Sequence, residues 1–179
     1  EASPQMTPEE EAKARQYFTD NKLVDQYGEK LRFFSDVLRG RKVLINFIYT
    51  DCPDTCPITT GKLNKVRKSL GERFGEEFFF ISVSIDPEND DPEDLAQFAK
   101  EHDAQIPGWV FLTGEPASVH EVVARFGQDS PNAEQHSTMM IAGDVASKHW
   151  VKLPPYAAVP EIVMKLEGLG SGNPLRRGG

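Results

Sequence analysis

Cysteine is scarce in this chain: only Cys52 and Cys56 occur among 179 residues. That excludes the dense disulfide framework of a small secreted scaffold, and it excludes a four-cysteine metal cluster within one chain. No apolar run approaches the ~20 residues that a membrane-spanning helix needs. Positive charge is in deficit, with 20 Lys and Arg against 28 Asp and Glu, a formal net charge of −8. No Lys/Arg run is interleaved with aromatics, so nothing points to a nucleic-acid partner. Internal repeats are absent. An initiator methionine is absent too, since the chain opens Glu1-Ala2-Ser3-Pro4. The expectation is a mature or truncated form, with any membrane attachment through an anchor that this sequence does not contain.

What remains is enough chain for one domain with a core of its own. Residues 1–20 are polar and charged, with a short helix opening at Pro8-Glu9-Glu10-Glu11, and read as an arm or linker. Segments 22–25 and 30–33 flank Tyr27-Gly28 and predict a small hairpin. The run Val43-Leu44-Ile45-Asn46-Phe47-Ile48-Tyr49 predicts a buried strand, and Ile58, Leu63, Val66 and Leu70 then recur at helical spacing over 57–73. Residues 78–85 form a second apolar strand, suited to a sheet covered on both faces. A helix over 92–101, a strand over 109–112 and a helix over 115–126 follow. Strands over 136–142 and 149–153, joined by a turn around Gly143-Asp144, and a helix over 160–166 close the pattern. The glycine-rich end, 169–179, has no apolar period and reads as a flexible tail. This order predicts an α/β fold, a central mixed β-sheet flanked by helices, over 21–168.

Chemistry concentrates in Thr50-Asp51-Cys52-Pro53-Asp54-Thr55-Cys56-Pro57, directly after the 43–49 strand. Cys52 and Cys56 can pair only with each other, with a metal or with another molecule. A four-residue step at a helix start brings both sulfurs to one face, and a helix N-terminus favours the thiolate. Paired thiolates suit Cu(I), zinc or iron–sulfur chemistry. Of the four histidines, His102 and His120 fall in charged helical segments and read as solvated, and His149 opens an outer strand. His136 stands where the polar loop 127–135 meets a strand, a junction that can face the end of the sheet carrying the cysteines. Met139 and Met140 are adjacent in a strand and point to opposite faces, so core packing is expected of them. Asp86 before Pro87 is either a turn former or an influence on the cysteines. The acidic stretch 88–94 reads as a loop and helix start, and Trp109 and Trp150 as packing residues.

The cysteine segment resembles the TxCPDxCP signature of the Sco/SenC family, thioredoxin-like proteins of cytochrome oxidase assembly. The likeness continues in order through Val24-Asp25-Gln26-Tyr27-Gly28, Ser84-Ile85-Asp86-Pro87-Glu88, Asp90-Asp91-Pro92-Glu93 and Trp109-Val110-Phe111-Leu112-Thr113-Gly114, to His136-Ser137. It implies a thioredoxin-like fold with an N-terminal β-hairpin extension, and one copper ion held by Cys52, Cys56 and His136. Two features depart from the family pattern. Gln135 stands where many relatives carry Asp, and the loop 127–135 is short.

The resemblance implies a copper carrier for the binuclear copper centre of cytochrome c oxidase, with subunit II or another copper-accepting protein as recipient. The alternative is a thiol–disulfide reductase in which Cys52 attacks and Cys56 resolves, resupplied by a thioredoxin-like reductant. A thiol peroxidase is a third reading, but nothing else here resembles the residues that activate peroxide. A disulfide-permissive compartment suits all three: the periplasmic side of a bacterial inner membrane, or the mitochondrial intermembrane space.

Overall fold

In the computed structural model, residues 6–50, 55–126 and 140–169 are described, with the backbone alone for 55–57. Helix α1 (Pro8–Phe18) starts at a capping box in which Thr7 and Glu10 satisfy each other's backbone amides. Strands β1 (Lys22–Asp25) and β2 (Lys30–Arg32) form the expected hairpin. Its turn is built by the Asp25 carboxylate, which accepts from the amides of Tyr27 and Glu29 at 2.9 Å each, and by Gly28 at φ 83°. A π-helical turn, Phe33–Leu38, buries four apolar side chains where the sequence pattern had suggested only the end of the hairpin.

The central strands are β3 (Lys42–Ile48), β4 (Phe78–Ser84) and β5 (Trp109–Thr113), adjacent and parallel. Helices α2 (Thr55–Leu70), α3 (Pro92–Glu101) and α4 (Pro116–Arg125) connect or follow them, and β6 (Met140–Asp144), β7 (His149–Leu153) and α5 (Val159–Glu167) complete the chain. The seven strands form one mixed sheet in the order β2-β1-β5-β4-β3-β6-β7. The hairpin therefore extends the sheet through β1, which pairs antiparallel with β5.

Strand alternation sorts the core into two halves, one per face of the sheet. Leu44, Ile48, Phe78 and Phe80 pack with Leu63 and Val66 of α2, Phe98 of α3 and Ile162 of α5. Val43, Ile45, Phe47, Ile81 and Val83 pack with the π-helical turn and with Val119, Val122 and Val123 of α4. One buried polar chain crosses the first face. Trp109 Nε1 donates to Ser82 Oγ at 3.1 Å, and Ser82 Oγ donates to Asn46 Oδ1 at 2.6 Å, so these three buried side chains partner one another.

Two expectations are revised. The arm is docked: Phe18 stacks on Phe126 at 5.7 Å and lies 5.4 Å from Trp150, while Glu10 pairs with Lys148 at 3.2 Å. A helix with five charged residues in eleven holds on through Ala14, Phe18 and its rim charges, which leaves too sparse an apolar stripe to read. The turn expected at Gly143-Asp144 lies later, since β6 runs through Asp144 and Lys148 adopts φ 61°. Gly143 is there for proximity. It sits opposite Trp150 in the register, and a Cβ would overlap the indole carbons Cε3 and Cδ2. The last described residue, Leu169, is buried in the core, and the remaining tail lies outside the described residues.

Candidate functional site

In open sheets, ligands meet the fold at the carboxyl ends of parallel strands. Here the carboxyl ends of β3, β4 and β5 converge on Asp90, which is 3% exposed. Its carboxylate accepts from the Thr50 amide at 3.1 Å, the Thr50 hydroxyl at 2.5 Å and the Ser84 hydroxyl at 2.9 Å. Its backbone carbonyl accepts from the Thr113 hydroxyl at 2.7 Å. Thr50 follows β3, Ser84 ends β4 and Thr113 ends β5, so one residue ties three strand ends together. Burial pushes the Asp90 carboxyl above the usual carboxylate range. The bonds from Ser84 and Thr50 oppose that rise, and nearby Asp86 adds to it.

The cysteine segment starts from Thr50. Cys56 lies in the first turn of α2, where backbone amides point outward without helical partners and the helix dipole favours an anion. α2 is firmly seated. Leu63 and Val66 are buried, Asn64 Nδ2 donates to the His102 carbonyl at 2.6 Å, and Lys62 Nζ donates to the carbonyls of Pro155 at 2.9 Å and Ala157 at 2.8 Å. Ile58, at the close of that first turn, is 67% exposed, and Tyr156, between the carbonyls that Lys62 holds further along α2, is 83% exposed. Cys52 and His136, with Gln135, Met139 and the loop 127–135, lie outside the described residues, as does the Cys56 side chain. Among the described residues no group of three or more His, Cys, Asp or Glu is placed to hold a metal ion.

Other candidates resolve into structural roles. His102 ends α3, half-buried rather than solvated, with its ring 4.4 Å from Phe98. His120 is exposed on α4 and bonds Glu88 at 3.1 Å, and that bond holds the Glu88 carboxyl below its ordinary value. His149 opens β7 opposite Asp144 and is half-buried. Met140 is fully buried in the core. Asp86 is a turn former: its carboxylate accepts from Asn89 Nδ2 at 3.0 and 3.1 Å, and its carbonyl accepts from the amides of Asn89 and Asp90. Within the acidic stretch, Asp91 caps α3 and Asp94 completes the capping box. Asp90 was hidden in that stretch. The signal that could have found it is the doublet Asp90-Asp91 before Pro92, because a helix needs only one N-cap.

The sheet order and the helices on both faces define a thioredoxin-like fold, with both cysteines of the sequence falling between β3 and the first turn of α2. The family model described as SCO1/SenC matches residues 9–158. The chain belongs to the SCO1/SenC family. Among curated relatives, a SCO2-like protein of Rickettsia felis is 33% identical over 159 residues, covering 83% of this chain and 75% of that protein. The chain spans about half the length of several other relatives it matches. Among solved structures, Bradyrhizobium japonicum ScoI with copper bound superimposes with a TM-score of 0.67 at 24% identity, covering 82% of this chain and 94% of that one. A structure describing a disulfide switch in BsSco, a member of the Sco family of cytochrome c oxidase assembly proteins, gives 0.70 at 24% identity, covering 86% and 92%. At these identities the two structures support the fold.

Proposed function

We propose that this chain is a copper carrier of cytochrome c oxidase assembly, holding one copper ion through Cys52, Cys56 and His136 and passing it to subunit II or another copper-accepting protein. The observation that carries this reading is the placement of Cys56 in the first turn of a firmly seated helix, four residues after Cys52 and two before the exposed Ile58. The donor set fits copper. Two thiolates are soft ligands for Cu(I), and one imidazole also accommodates Cu(II). Copper is cargo here, so the protein must release it, and an accessible helix end lets a partner's ligands approach. The exposed Ile58 is consistent with that access. We place the chain on the periplasmic side of a bacterial membrane, or in the mitochondrial intermembrane space, where a redox-active cysteine pair has partners. Among the described residues no helix is long and apolar enough to cross a membrane.

The deciding experiment is an anaerobic Cu(I) titration of the reduced protein against a competing chelator, with His136→Ala in parallel. One copper per chain, with the variant losing the Cu(II) complex more than the Cu(I) complex, is the expected result. Absence of competitive copper binding would overturn the reading.

The disulfide switch described for BsSco favours a second reading, a thiol–disulfide reductase. Thiolate Cys52 would attack a partner disulfide, and Cys56 would displace the partner's thiol. The two electrons leave the pair as a Cys52–Cys56 disulfide, and a thioredoxin-like reductant restores the dithiol. That exchange survives His136→Ala, whereas the oxidised copper site does not.

A further inference from the structure

We propose that Asp90 is a positioning residue for the cysteine site, holding Thr50 against the carboxyl ends of β4 and β5 so that the segment carrying Cys52 departs from a fixed point. Thr50 gives both its amide and its hydroxyl to the Asp90 carboxylate. A residue bound through backbone and side chain at once has little rotational freedom left. The same carboxylate takes the Ser84 hydroxyl, and the Asp90 carbonyl takes the Thr113 hydroxyl. Only residues 51–54 separate this anchor from α2, whose other contacts hold the far end: Asn64 on the His102 carbonyl and Lys62 on the carbonyls of Pro155 and Ala157. Two fixed ends joined by four residues limit where Cys52 can stand relative to Cys56.

The arrangement is not needed to start α3. Asp91 accepts the Asp94 amide at 2.9 Å, and Asp94 accepts the Asp91 amide at 3.1 Å, so the cap is complete without Asp90. A buried carboxylate is unfavourable unless its oxygens are bonded, and among the described residues the bonds to this one come from Thr50 and Ser84, at the ends of β3 and β4. Asp90 acts through Thr50. Ligand-orienting groups of this kind change metal affinity and thiol reactivity without contacting the metal.

The inference rests on the copper reading for its metal readout only. The test uses the full chain, metal-free and fully reduced, as Asp90→Asn, Thr50→Val and the conservative Thr50→Ser. Iodoacetamide alkylation over a pH series, resolved by peptide mass spectrometry, reports Cys52 and Cys56 separately. Cu(I) competition against a chelator reports the assembled site. Asp90→Asn and Thr50→Val are expected to move the alkylation profile of Cys52 and to weaken Cu(I) binding about 10–100-fold. Thr50→Ser keeps the hydroxyl and is expected to match the parent in both. Folded variants whose alkylation and copper binding all equal the parent's would overturn the proposal and leave Asp90 a purely structural residue. Should Asp90→Asn not fold, Thr50→Val decides by the same readouts, since it retains the Thr50 amide and Ser84 bonds. A parent chain that binds no copper overturns the carrier reading, and the alkylation profiles still decide the role of Asp90.

Discussion

Asp90 carries an unusual sign among the carboxylates of this protein. Glu10, Asp36, Glu88 and Glu121 are held below their ordinary values by hydrogen bonds and cationic partners, whereas burial raises Asp90. A carboxyl raised on folding binds its proton more tightly in the native state. Its contribution to stability is complete below the unfolded value, about pH 4, and is lost as pH rises through the folded value. Urea unfolding of the parent and of Asp90→Asn over a pH series is therefore expected to show the parent losing ground to the variant as pH increases, then levelling off. A difference that moved the opposite way would mean that the bonds from Thr50 and Ser84 outweigh desolvation. The hydroxyl donors were invisible in the linear pattern. Thr50, Ser84 and Thr113 look like ordinary strand-end residues until parallel pairing of β3, β4 and β5 sets their ends side by side.

At the scale of elements, the β6–β7 pair shows how one absent side chain organises a surface. Gly143 lies beneath the Trp150 ring, and that ring completes an aromatic group with Phe18 of α1 and Phe126 at the end of α4. Gly143→Ala is expected to force the indole aside, lower stability by about 1–3 kcal/mol and loosen α1, which proteolysis within residues 8–18 would register. An unchanged melt and an unchanged α1 would show that the indole has room to retreat. The helices themselves were legible. Pro92 after an aspartate, and valines recurring through 119–123, announce caps and buried stripes by local rules. The docking of α1 was not, because its apolar contribution is Ala14 and Phe18 alone, too little for a readable periodicity. The expected turn at Gly143-Asp144 failed for a related reason: glycine serves equally for bends and for close approach, and only the cross-strand partner distinguishes the two.

For the whole molecule, the two-faced core and the site respond to different conditions. The core is held by burial on both sides of the sheet and is indifferent to metal. Cargo bound only by the native state adds stability by mass action, about 2.7 kcal/mol at a free concentration one hundred times the dissociation constant. Calorimetry of the reduced protein under anaerobic conditions is expected to show the melting temperature rising with Cu(I) and returning when a chelator removes it. His136→Ala should blunt the rise, and an effect of Cu(I) equal in a Cys52→Ser, Cys56→Ser double variant would exclude the cysteine site as its source. The formal net charge of −8 argues against a polyanion-binding face, and the ion pairs Arg39–Glu11 and Lys148–Glu10 hold α1 at its rim.

By itself the sequence determined the type and order of the strands and α-helices, the cysteine pair at a strand-to-helix junction and the family. Those properties rest on local periodicity, on caps, and on a motif whose residues are contiguous in the chain. The tertiary structure alone decided that a buried aspartate would gather three strand ends, that a glycine would shelter a tryptophan, and that the N-terminal helix would dock. Each of these rests on a contact between elements that no local rule supplies, and such a contact exists only once register and layer order are set. Asp90 and Thr50 stand forty positions apart along the chain. Parallel pairing of β3 with β4 is what lets a carboxylate in the loop after β4 reach both the amide and the hydroxyl of the residue that leads into the cysteines.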